Sequence, residues 1–163
     1  MPRLLPNSIM TRIQFNRVRI LGIFLDTSFF LGLCHPLDPN HKTSVRMFRA
    51  MAGGNYGLIF TSTFVIAETA TLILIRTSNN NRIIDKFHEM FSGSTRVVRL
   101  LDVNVAILED IWTLFQNHNK KAKTKKQYLS FVDASNVVLC RHNEIDKIAS
   151  FDGDFDTYLQ RID

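Results

Sequence analysis

Four short runs rich in branched and aromatic residues punctuate the chain: RILGIFL at 19–25, GLIFT at 57–61, TRVVRLL at 95–101 and IDKIASF at 145–151. Each is short for a helix and apolar enough to need cover on both faces, so each is predicted to be a buried strand, the last with Ile148 and Phe151 inside. Strands of that kind belong to parallel sheets, whose neighbours are joined only by long, mostly right-handed crossovers. The stretches between the runs supply those crossovers as helices. The expected class is therefore α/β, a three-layer α/β/α sandwich around a central parallel sheet of four strands, or five if the short stretch at 158–162 pairs.

Helix signals fill the gaps. Thr27 or Ser28 opens a helix over FFLGLC, Pro36 and Pro39 make 35–41 a loop, and 42–51 reads as a second helix with Val45, Met47, Phe48 and Met51 inward. Ser62 or Thr63 caps a helix over 64–76. Residues 82–91 and 102–118 read as two more, the latter with a core stripe of Val105, Leu108, Ile111, Trp112 and Phe115. Residues 120–126, KKAKTKK, form a solvated loop with five lysines. Ser130 and Asp133 then stand three apart before an apolar run, the spacing of a capping box, while Arg141, His142 and Asn143 suit that helix's negative end. Asp152-Gly153 is the turn that ends the fourth run.

With 163 residues, 45% of them apolar and 21% charged, the chain has room for one domain with a real core, assigned to 19–163 behind a basic extension at 1–18. The extension carries arginines and no acid, lacks the apolar centre of a secretory signal, and is interrupted by Pro2 and Pro6; Met10 is an alternative start. Cys34 and Cys140 lie in apolar runs without CxxC spacing, which points to buried free thiols in a reducing compartment, and the histidines show no ligand spacing. Residues 57–75 approach membrane-spanning length with one charge, but Glu68 falls mid-run among Thr61, Ser62, Thr63, Thr69 and Thr71. A strand followed by a buried helix fits better, so no membrane contact and a cytoplasmic location are expected.

The placement of acids says more than their number. Asp26 is the sole Asp, Glu, Lys or Arg between Ile20 and Leu37, Glu68 between Ala50 and Ile75, and Asp133 between Gln127 and Cys140. Taken singly, Asp133 reads as a helix-start acid and Asp152 as a turn residue. Together they read differently, because a buried carboxylate must be paired, hydrogen-bonded or bound to metal, and no local cation serves these. If Asp26, Glu68, Asp133 and Asp152 converge, two charges ~4 Å apart repel by about 4 kcal/mol at an effective dielectric of ~20. Such a set takes up protons or a divalent cation, and an all-oxygen set without His or Cys suits Mg²⁺ or Mn²⁺ rather than zinc.

The four acids sit in IFLDTS, FVIAET, LSFVDA and SFDGDF, in that order. The series resembles the PIN-domain ribonucleases and, within that family, the toxin component of VapBC-type toxin-antitoxin pairs, over roughly residues 20–155. The resemblance implies that Asp26, Glu68, Asp133 and Asp152 are the acidic metal set for Mg²⁺ or Mn²⁺, with Thr27 or Ser28 beside it and Asp154 as an auxiliary acid. The chain departs from the family in its longer basic N-terminal extension and in a last strand that is short or missing.

The implied chemistry is metal-assisted hydrolysis of an RNA phosphodiester by an endoribonuclease, leaving a 5′-phosphate and a 3′-hydroxyl. Charge agrees with a polyanionic substrate: without the four site acids, 20 basic residues face 11 acidic ones, a balance of +9. Arg46, Arg49 and the loop lysines Lys120, Lys121, Lys123, Lys125 and Lys126 are candidates for phosphate contacts, or simply solubility charges. The toxin resemblance further implies an antitoxin partner and a homodimer through helical faces. Competing readings are an RNA-maturation nuclease of the same family and a catalytically weak module that binds RNA or protein. A phosphatase using Asp26 ranks below them, because such sites pair the nucleophile with an acid two residues on, where this chain has Ser28.

Overall fold

The central strand, β1 (Gly22–Leu25), is buried along its whole length. In the computed structural model, which describes residues 21–94 and 96–163, it pairs in parallel with β2 (Leu58–Ser62) on one side and β4 (Lys147–Ala149) on the other. Outside them lie β3 (Val98–Leu101) and β5 (Gln160–Ile162), giving a five-stranded, all-parallel sheet in the order β3-β2-β1-β4-β5. The register sets Phe24 between Phe60 and Ile148. The expected short or missing last strand is thus present, as three residues, and closes the β4 side of the sheet.

Six helices make the crossovers: α1 (Thr27–Cys34) and α2 (His41–Ala52) after β1, α3 (Thr63–Arg76) and α4 (Asn81–Glu89) after β2, and α5 (Val105–Asn119) and α6 (Phe131–His142) after β3. The chain steps from β1 to β2 to β3 in one direction, then returns past β1 to reach β4. Right-handed crossovers put helices made on the outward path and those made on the return on opposite faces. The packing agrees: α1 packs on α2, α3 and α4, whereas α5 packs on α6. The larger core lies around Ile23, Phe24, Leu25, Phe29, Phe30 and Ile148; a smaller one, Ile111, Leu129, Ala134 and Val138, fills the space between α5 and α6. The stretch at 57–75 is indeed β2 followed by α3, and among the described residues no helix is long and apolar enough to cross a membrane.

Four boundaries differ from the sequence reading, each for a local reason. Leu21 is 67% exposed, so β1 begins at Gly22; Arg19 and Ile20, like the extension at 1–18, lie outside the described residues. The third run shrinks to Val98–Leu101 because β3 is an edge strand, with Arg99 and Leu100 turned to solvent. The fourth run pairs only over Lys147–Ala149; Phe151 lies past its end, half-buried, with its ring stacked 6.3 Å from that of Phe29. Helix α5 starts at Val105 rather than at residue 102 because Asn104 accepts from the Ile107 amide at 2.9 Å and caps it. Its apolar stripe is not all core: Ile111 is buried, but Val105 and Trp112 face solvent.

Both cysteines are free; burial pushes the Cys34 thiol up to about 12 and raises that of Cys140 further, so both stay protonated. Gly57 enters β2 with φ +77°, and a Cβ there would lie 2.1 Å from the Leu21 carbonyl oxygen. A left-handed backbone pressed against main chain leaves no room for a side chain. Gly57→Ala is expected to lower stability by about 3 kcal/mol or more in urea denaturation, since both strain and displacement of β1 are involved.

Candidate metal and active site

The strand order reverses between β1 and β4, and the carboxyl edge of the sheet at such a reversal is where open α/β sheets bind ligands. Asp26 ends β1 there and is 3% exposed. It caps α1, accepting at Oδ2 from the Ser28 amide at 3.2 Å and the Ser28 hydroxyl at 2.8 Å. Ser150, one residue past the neighbouring β4, donates to the same oxygen at 2.9 Å, and Asn136 of α6 donates its amide to Oδ1 at 3.1 Å. The two serines also receive the next main-chain amides: Phe151 donates to Ser28 Oγ at 2.9 Å and Asp152 to Ser150 Oγ at 3.0 Å. Ser150 therefore ties the Asp26 carboxylate to the backbone that carries Asp152.

The other acids are brought to this point by helix starts. The Ser130–Asp133 capping box forms as the spacing predicts, with reciprocal contacts of 3.0 and 3.3 Å. Asp152 caps a single 3₁₀ turn (Gly153–Thr157), accepting from the Asp154 amide at 2.9 Å. Glu68 lies in the second turn of α3, and Thr27, the first residue of α1, donates to it at 2.6 Å. So Thr27 serves Glu68, while Ser28 serves Asp26.

Burial raises the Asp26 carboxyl above the usual range, against the hydrogen bonds from Ser28 and Ser150. Asp133 is pushed up to about 6, first by burial and then by the charges of Asp26 and Asp152, with Ser130 pulling the other way. Burial also raises Asp154, helped by the charge of Asp152 and opposed by His118. The charges of Asp26 and Asp152 both act on Asp133, which sets these three acids near one another, and Thr27, next to Asp26 in the chain, holds Glu68. As they stand Asp26, Asp133 and Asp152 serve helix and turn starts and Glu68 accepts from Thr27; among the described residues no three His, Cys, Asp or Glu side chains already clasp a common point.

The donor set fits a hard cation. Asp133 Oδ1, Asp152 Oδ2 and Glu68 Oε1 make no protein hydrogen bond among the described residues, and the repulsion around Asp133 is of the kind a divalent ion relieves. The basic candidates divide. Lys121 and Lys126 line a cleft of about 610 Å³ with Asp154. Arg46 and Arg49 line another, of about 430 Å³, with His41, Lys42 and Val45 and with none of the site acids. Lys120, Lys123 and Lys125 stand exposed on the loop.

Sequence reasoning missed Ser150 and Asn136. Asn136 was legible as an amide in an otherwise apolar helical run, one turn from Asp133; it is fully buried and its Oδ1 has no partner among the described residues. Ser150 was legible only as a hydroxyl at a strand end. Ser150→Ala is expected to lower stability by about 1–2 kcal/mol in thermal melts, because a buried carboxylate then loses one of its donors.

Comparison with known proteins completes the description of the site. The chain is 29% identical over 133 residues to the 23S rRNA-specific endonuclease VapC20 of Mycobacterium tuberculosis, covering 82% of this chain and 91% of that protein. The crystal structure of VapC20, described as a Sarcin-Ricin loop cleaving toxin, superposes with a TM-score of 0.68 at 29% identity, over 83% of this chain and 93% of the other. VapBC2 from Rickettsia felis, bound to a DNA fragment from its promoter, shares the fold at a TM-score of 0.63 and 11% identity, over 87% and 98% of the two chains. Residues 23–158 match the PIN domain family, and with that match across most of its length the chain belongs to the PIN-domain family.

Proposed function

We propose that the protein is a Mg²⁺- or Mn²⁺-dependent endoribonuclease, the toxin of a toxin-antitoxin pair acting in the cytoplasm, with Asp26, Glu68, Asp133 and Asp152 as its active acids. The observation that carries this is the carboxyl edge at the β1/β4 switch point, where a buried Asp26 is held by three side chains and Asp133 feels the charges of both Asp26 and Asp152. Asp26, Asp133 and Asp152 would hold the ion. When bound, the ion supplies a lowered pKa for water and a polarised phosphate. Ser28, Ser150 and Asn136 fix the Asp26 carboxylate in one orientation, so it needs no reorganisation during reaction. Glu68, anchored by Thr27, orients the attacking water, and the products carry a 5′-phosphate and a 3′-hydroxyl.

VapC20 is described as cutting 23S rRNA, and at 29% identity that supports ribosomal RNA as the first substrate to try. The same relative, described as a toxin, supports a cognate antitoxin. Exposed apolar Leu74 and Ile75 on α3, with Val105 and Trp112 on α5, offer helical faces for a homodimer.

The test is cleavage of a mixed tRNA and rRNA pool with Mg²⁺, Mn²⁺ or EDTA, beside the double variant Asp26→Asn, Asp133→Asn. Discrete metal-dependent products with 5′-phosphates that vanish in the variant establish the reading. The competing reading is a binding-only module. That reading predicts RNA bound equally in EDTA and left intact.

A further inference from the structure

The lysine-rich loop is not a loose tether. Asn119 closes it against Leu129 with two hydrogen bonds of 3.0 Å, its amide donating to the Leu129 carbonyl and its oxygen accepting the Leu129 amide. Inside, the Gln127 side chain accepts from the Lys123 amide at 2.8 Å and the Thr124 amide at 3.2 Å. His118 pins the loop from outside: its Nε2 donates to the Gln127 carbonyl at 2.9 Å, and its Nδ1 shares a hydrogen bond of 2.5 Å with the Tyr158 hydroxyl. Tyr158 directly follows the 3₁₀ turn that Asp152 caps. One imidazole thus holds both the lysine loop and the turn that carries Asp154 against α5.

Between these parts lies the cleft of about 610 Å³, with Leu114 and Ala122 as its apolar wall, Lys121 and Lys126 as its cations, and Gly153 and Asp154 on the side of the acidic site. That volume lies within the range of small-ligand sites. The cleft is marked by its two cations, by a loop pinned through its own side chains, and by Asp154, two positions from Asp152 in the turn that Asp152 caps.

We propose that this cleft is a nucleotide subsite of the active site, in which Lys121 and Lys126 take a phosphate of a nucleotide flanking the scissile bond and Leu114 and Tyr158 receive its sugar and base. The inference rests on the ribonuclease reading above and adds where the strand leaves the acids. An RNA strand, rather than an acidic protein segment, is the favoured occupant because the cations share the cleft with apolar and aromatic side chains suited to a base.

The experiment compares wild type with Lys121→Gln, Lys126→Gln and with a charge-matched control, Arg82→Gln, Lys86→Gln, which alters α4. A single-stranded RNA that wild type cuts is assayed for cleavage with Mg²⁺ and for binding in EDTA across a salt series. The subsite predicts a KM raised at least about tenfold with kcat within about twofold, and a binding slope in log salt reduced by about 0.7, as the loss of one neutralised phosphate on a single strand requires. The control stays at wild-type values, and thermal melts of all three coincide because the altered side chains are exposed. Equal KM and slope for the cleft variant and the control overturn the subsite and leave the nuclease reading standing. Loss of affinity for the co-expressed antitoxin with unchanged RNA binding also overturns it, assigning the cleft to protein. If wild type cuts no RNA, the nuclease reading fails, and a slope unchanged in EDTA then overturns the subsite independently.

Discussion

Asp26→Asn is expected to reduce RNA cleavage at least about a thousandfold while leaving a folded protein that melts no lower than wild type. Loss of the one fully buried carboxylate in the acid cluster removes a ligand and the charge around which the site is arranged, an effect on the scale of a lost electrostatic stabiliser or greater. The fold tolerates the exchange for a specific reason. The asparagine oxygen takes the place of Oδ2 and keeps the contacts from Ser28 and Ser150 that cap α1. Its amide then occupies the Oδ1 position, opposite an Asn136 amide that now donates there and whose own Oδ1 is unpartnered. A flip of Asn136 turns that clash of donors into a hydrogen bond. The substitution also removes a charge whose burial opposes ionisation. Single-turnover kinetics and a thermal melt on the same preparation check both halves. A large loss of stability alongside the loss of activity would mean that the buried charge organises the fold rather than the chemistry.

Asn136 marks the limit of what the chain's sequence disclosed. The alternation of apolar runs and caps gave the parallel sheet, because a two-faced strand has few other homes, and lone acids in apolar runs pointed to Asp26, Glu68 and Asp133, because buried charge needs a reason. What stayed hidden depends on register across non-adjacent segments. Ser150 matters only because β4 lies beside β1 and ends level with it, a fact decided by the return crossover and not by residues near Ser150. The division of the basic residues was equally invisible: Arg46 and Lys126 are both cations on polar stretches, yet only Lys126 shares a cleft with the auxiliary acid Asp154. The α5 stripe misled because helical spacing records which residues share a face, whereas exposure of Val105 and Trp112 depends on how far α6 extends beside that face.

In metal-free buffer, stability is expected to fall as pH rises from about 4 to about 6, and Mg²⁺ or Mn²⁺ is expected to restore it above that range. Asp133 is the group responsible: burial and the charges of Asp26 and Asp152 push its carboxyl up to about 6, from an ordinary 3.8. Below about pH 4 the carboxyl is protonated in both folded and unfolded chains and contributes no pH dependence. Between the two values the folded chain holds a proton that the unfolded chain has released, so each rise in pH favours unfolding; above about 6 both are ionised and the loss is complete. The full loss is at most about 3 kcal/mol, the free energy of a shift of that size, and less to the extent that solvent reaches the partly exposed carboxylate. Asp26, raised in the same direction, adds to it. A divalent ion offsets the repulsion only where the acids are charged, so its effect on the melting temperature should grow from pH 5 to pH 7.5 and follow ligand mass action. Asp133→Asn should lessen the slope of the pH profile, leaving the part that Asp26 contributes, melt higher than wild type at pH 7.5 without metal, and lose most of the metal-induced rise. A metal-induced rise that persists undiminished in Asp133→Asn would place the ion away from this cluster, and a slope as steep as wild type's would assign the destabilising charge to another acid.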